Sequence, residues 1–64
     1  MLITLKDLPS NARGFAQYCI DNFEFRDVVE MVYADKHEDH CAQFDITHEQ
    51  WQDAVYVVIK QMGK

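Results

Sequence analysis

Histidine, cysteine and carboxylate side chains crowd one short stretch of this chain. His37, Glu38, Asp39, His40 and Cys41 are consecutive, and His48 follows soon after. Imidazole, thiolate and carboxylate are the ligand types of zinc and other transition metals. A metal-binding module would draw on His37, His40 and Cys41, with His48 as a further ligand. The spacing His-x-x-His-Cys matches no strong structural-zinc pattern. On an extended strand, adjacent His40 and Cys41 point to opposite sides, which hinders shared ligation. A solvated polar hairpin tip explains the same residues without an ion. No metal and no cofactor is therefore assigned, and the alternatives to the reading below are the metal module or a direct nucleic-acid-binding regulator. The same histidines are candidates for a pH sensor, since imidazole changes charge near physiological pH.

Catalysis finds little support. The single serine, Ser10, sits where a helix is expected to begin, and capping accounts for it. The geometry that separates His40 from Cys41 also argues against a nucleophile-base pair. No glycine-rich phosphate loop occurs. A chain of 64 residues has little material to enclose a substrate beside its own core. The protein reads as non-enzymatic.

Charge is the stronger lead. The net charge is −5, but it is not evenly spread. Residues 1–20 carry Lys6 and Arg13 against Asp7, and residues 54–64 carry Lys60 and Lys64. Residues 21–53 hold ten acids against Arg26 and Lys36, a net of −8. That balance disfavours direct binding to a phosphate backbone and favours attraction to a basic protein surface. The expected contacts are Glu24, Asp27, Glu30, Asp35, Glu38, Asp39 and Asp45. Carboxylates two apart on a strand are roughly 6.6 Å from one another. Such rows would imitate a nucleic-acid backbone toward a basic partner. The expected function is a small acidic regulator or inhibitor that binds a basic surface of a larger protein.

The elements that position these groups are partly legible. Ile46 to Gly63 is written as a helix at both ends. Thr47 with Gln50 makes a capping box, and Ile46 with Trp51 makes a hydrophobic staple. Gly63 stands where a left-handed C-cap belongs. Trp51, Ala54, Val55, Val58, Ile59 and Met62 share one face of that helix. Ala12, Phe15, Ala16, Cys19, Ile20 and Phe23 repeat the same spacing, with Asp7 or Ser10 as the cap. Gly14 inside this helix suggests a close approach to a neighbour. Leu2 to Leu5 reads as a brief strand.

The middle of the chain is ambiguous. Residues 23–34 read as a strand with Phe25, Val29, Met31 and Tyr33 on one face. They read equally well as a helix with Phe25, Val28, Val29, Val32 and Tyr33 in a stripe. Their valines and aromatics favour the strand. Residues 40–46 alternate, with Ala42, Phe44 and Ile46 on one face, and suggest the second arm of an antiparallel hairpin. The expected fold is α+β: a small antiparallel sheet with two amphipathic helices on one face, in the order β-α-β-β-α. The alternative is mostly α-helical with one short strand or hairpin. The sheet would bury Phe15, Phe23, Tyr33, Phe44, Trp51, Val55 and Val58 together. It would leave Val28, Val32 and Ala34 outside, with Tyr56 and Val57 opposite the core stripe of the last helix and Tyr18 similarly placed on the first.

Length and composition fit a single domain over residues 1–64. No run of residues is long and apolar enough to span a membrane. The chain reads as cytoplasmic, with Cys19 and Cys41 kept as thiols. So small a domain would also gain missing core from a homodimer through exposed apolar side chains.

Overall fold

The computed structural model describes residues 4–63 and contains four helices among them, with no strand. They are α1 (Ser10–Asn22), α2 (Phe25–Tyr33), α3 (Glu38–Phe44) and α4 (His48–Met62), preceded by a 3-10 turn at Leu5–Asp7. The expected sheet is therefore corrected to a helical bundle. The helical alternative comes closer, yet its strand finds no place among the described residues. Residues 2 and 3 lie outside the described residues, and Leu5 opens the 3-10 turn.

α4 organises the bundle, packing against each of the other three helices, most extensively against α1. Its start follows from the sequence. Thr47 Oγ1 accepts the Gln50 N–H at 3.1 Å, and Gln50 Oε1 accepts the Thr47 N–H at 3.0 Å. Ile46 and Trp51 on either side of that cap are both buried in the core. Trp51, Ala54, Val55 and Val58 are buried as the periodicity requires, and Ile59 and Met62 are partly buried. Val57 is buried as well, against expectation. Three neighbours around one helix cover a wider arc than a single stripe. Gly63 ends α4 at φ −84°, not in the left-handed region. Its small size matters instead: a Cβ there would meet Ile59 O at 2.7 Å and the Phe25 ring at 3.0 Å.

α1 buries Ala12, Phe15, Ala16 and Cys19 against this surface. Neither expected cap serves it, since Pro9 is the N-cap and no side chain bonds the first turn. Asp7 instead accepts the Thr4 N–H at 2.9 Å within the preceding turn. Gly14 has open space around it, so it marks no close approach.

Residues 23–46 differ most from expectation. Asp27 Oδ2 accepts the Glu24 N–H at 3.1 Å and starts α2. Asp35 ends it in the left-handed conformation, φ 51°. The Lys36 N–H reaches Met31 O at 3.2 Å and the Asp35 N–H reaches Val32 O at 3.1 Å, the paired bonds of a Schellman ending. α3 also ends on a left-handed aspartate, Asp45 at φ 56°, with the Asp45 and Ile46 N–H groups both on Cys41 O. Aspartate is one of the few residue types other than glycine that enters this region readily. The two turns close two short helices where alternation had suggested two strands. Val28 is fully buried and Met31 nearly so, while Tyr33 is 89% exposed. Burial against the rest of the core overrides the strand preference of the valines. Tyr18 is half-buried, with its ring 5.6 Å from Phe23 and 5.5 Å from Phe44. No helix among the described residues is long and apolar enough to cross a membrane.

Candidate functional site

The turn after α2 and the first residue of α4 meet. Asp35 is held by its left-handed turn, His37 immediately precedes α3, and His48 follows the Thr47 cap. These three placements bring both imidazoles to one carboxylate oxygen. His37 Nδ1 lies 3.2 Å and His48 Nε2 lies 3.1 Å from Asp35 Oδ1. The His37 backbone N–H donates to Asp35 O at 2.9 Å, which fixes their spacing. The two rings stack with centroids 3.8 Å apart and planes 20° apart. Both lean toward the buried Trp51, with centroids 5.8 and 5.9 Å from its ring. The possible ligand atoms of Asp35, His37 and His48 all lie within 4.8 Å of one another.

This is not the set that the sequence spacing singled out. His37 and His48 belong to it, but His40 and Cys41 do not. α3 turns His40 toward the aromatic core, where its ring lies 5.1 Å from Phe15 and 6.5 Å from Phe23. Its Nδ1 is 3.3 Å from Lys36 O. Cys41 packs half-buried against the core. Burial and then the charge of Asp35 push its thiol above the usual range, the wrong direction for a reactive thiolate. Cys19 is fully buried, and burial pushes its thiol up to about 12. Sequence reasoning missed Asp35 as the partner of the histidines. The available signal was its place just after the amphipathic stretch of residues 25–34, where an aspartate can end a helix.

The seven expected acidic contacts are all exposed. Five of them gather around Lys36. Asp27, Glu30 and Lys36 line one shallow depression of about 370 Å³, with Phe23, Met31 and His40 at its floor and sides. Asp35, Glu38, Asp39 and Lys36 line another of about 520 Å³. The two depressions share Lys36. Glu24 adjoins this surface through its bond to Asp27. Asp45 lines neither depression, and its carbonyl accepts a bond from Asn11 Nδ2 at 3.3 Å. The expected rows of carboxylates on strands do not exist among the described residues. Glu24, Asp27 and Glu30 instead follow a helical path, and Asp27, Glu38 and Asp39 sit in first turns, where negative charge suits the dipole. Among the described residues no carboxylate is ion-paired to lysine or arginine; the close partners are the histidines just described.

A third feature is apolar. Val32 of α2 and Val55, Tyr56 and Ile59 of α4 border a groove of about 270 Å³. Phe25, Val32 and Tyr56 are partly exposed, and Lys60 Nζ stands 5.6 Å from the centre of the Tyr56 ring. Set against protein-family models, curated proteins and solved structures, the chain matches none of them, so its site is read from its own residues alone.

Proposed function

We propose that this protein is a non-enzymatic interaction module, a small acidic regulator or inhibitor that binds a basic surface of a larger protein. The reading is of a cytoplasmic protein whose two cysteines stay thiols. The observation that carries it is the pair of carboxylate-lined depressions that share Lys36, with no arginine or lysine ion pairs to neutralise them among the described residues. Unpaired surface charge speeds encounter with an opposite surface and fixes register, more than it adds raw affinity. Binding should therefore weaken with salt, because the Debye length is only about 8 Å at physiological ionic strength.

The test is capture of partners from host lysate by the tagged protein, washed at low and then high salt. A partner held at low salt and released at high salt is expected. The double variant Glu30→Lys, Asp39→Lys should recover much less of it while keeping its helical circular dichroism. Both positions are exposed, so neither substitution buries a charge, and the loss of the favourable Asp39 charge in the first turn of α3 costs about 0.3–1 kcal/mol. Undiminished capture by that variant would remove the acidic surface from the account. Competition between the protein and nucleic acid for the same partner would identify mimicry.

Self-association is the second reading, favoured by the exposed Phe25, Val32, Tyr33 and Tyr56. Sedimentation at rising concentration should show a dimer; a monomer at every concentration would exclude it.

A further inference from the structure

We infer that Asp35, His37 and His48 form a binding site for a divalent transition-metal ion of the zinc and nickel class. Two imidazoles and one carboxylate make a donor set that suits such ions, whereas calcium and magnesium demand oxygen. The spacing fits. Zinc bonds of about 2.0–2.1 Å set neighbouring ligands of a tetrahedron about 3.3 Å apart. The two imidazole nitrogens stand 3.2 and 3.1 Å from the carboxylate oxygen.

The fold places the backbones of the three residues together from different elements. Asp35 sits in a left-handed turn closed by backbone bonds, and its carbonyl accepts the His37 N–H. His48 is fixed by the Thr47–Gln50 cap at the head of α4. Coordination through His37 Nδ1 and His48 Nε2 leaves each ring proton on the other nitrogen. It also requires the rings to turn out of their stack, so that both lone pairs converge on the ion. The side chains of His37 and His48 are 25% and 46% exposed, and the rotation exchanges the 3.0 Å contact of His37 Nδ1 with Asp35 O for the ion. The open side would take water or a partner's ligand as the fourth group. The nearby carboxylates of Glu38 and Asp39 raise the local concentration of cations. An ion here ties the turn after α2 to the head of α4. The site is independent of the acidic-surface reading except at Asp35, and Glu30 and Asp39, the test positions there, lie outside it.

The experiment uses the full chain. Zinc is titrated during thermal unfolding, and nickel or cobalt is titrated against tryptophan fluorescence. Trp51 is the single tryptophan, beside both histidines, so it reports directly on the site. Zinc at a hundredfold excess over Kd should raise Tm by roughly 20 °C. Nickel or cobalt should quench the fluorescence. His48→Gln should lower the affinity roughly 100-fold, since loss of a ligand costs at least as much as loss of its supporting partners. Asp35→Asn keeps a residue tolerant of the left-handed turn and should weaken binding too. His40→Gln and Cys41→Ser should leave the response unchanged. Absence of both the Tm shift and the quenching would overturn the inference. So would a response that survives in both His48→Gln and Asp35→Asn, or one that disappears in Cys41→Ser.

Discussion

α4 and the stretch from Glu24 to Asp45 are built on opposite terms. α4 carries its own instructions: a cap at Thr47 and Gln50, a staple at Ile46 and Trp51, and an apolar stripe that three neighbours cover. The middle stretch has apolar residues compatible with two periods. It becomes two helices because Asp35 and Asp45 take left-handed turns and because Val28 finds the core. A strong cap with a single period is robust on its own terms. An ambiguous period is resolved only by what it packs against.

The largest expected effect tests the dependence of everything else on α4. Trp51 is 1% exposed. Truncation of a buried tryptophan to alanine costs about 3–5 kcal/mol, comparable to the whole stability of so small a domain. Trp51→Ala should therefore lose its cooperative denaturation transition. A two-state transition of normal midpoint would show that α4 is not the organiser.

The buried thiol of α1 gives the next effect. Its value is raised from 9.0 to about 12, so the folded state keeps a proton that the unfolded chain gives up above pH 9. The contribution is fully present below pH 9, and stability falls as pH rises from there toward 12, by up to about 1.4 kcal/mol per pH unit. Urea midpoints measured across that range should show the decline, and Cys19→Ala should flatten it. Cys41, in the middle stretch and only half-buried, should react with a thiol reagent well before Cys19 does.

The period of the middle stretch is tested by a pair of substitutions. On a strand, Val28 and Val32 would share a face and respond alike. In the helix, Val28 is fully buried and Val32 is 40% exposed. Val28→Ala should cost about 2 kcal/mol, from two lost methyl groups and the space they leave, and Val32→Ala less than about 0.5 kcal/mol. Equal losses would restore the strand.

Two smaller changes sharpen the contrast between local and tertiary signals. Thr47→Ala removes the cap of α4 and should lower stability by about 1 kcal/mol, measured by urea unfolding. Gly14→Ala should raise it by about 0.5–1 kcal/mol, because the helix gains propensity and the new Cβ meets nothing within 4 Å. A destabilised Gly14→Ala variant would reveal a contact that the structure lacks.

Of the fold, the amphipathic α1 and α4 were readable, because each has one clean stripe and α4 has matching cap chemistry. The exposure of the acidic residues was readable as well, since charge avoids burial. Of the candidate metal site, His37 and His48 were in view, but His40 and Cys41 were grouped with them by adjacency. Neighbours in sequence share a site only if their backbone aims them together. A helix at residues 38–44 sent His40 to Phe15 instead.

What the chain's own residues determined was local: caps, stripes, the split of charge, and a thiol at Cys19 destined for burial. These depend on offsets within a few turns of one element. What only tertiary structure decided was the state of residues 25–44 and the meeting of Asp35 with His48, thirteen residues apart. The first depended on burial of Val28 and Met31 in a core built by other elements. The second depended on the Asp35 turn and the Thr47 cap acting together, a geometry that no single segment contains.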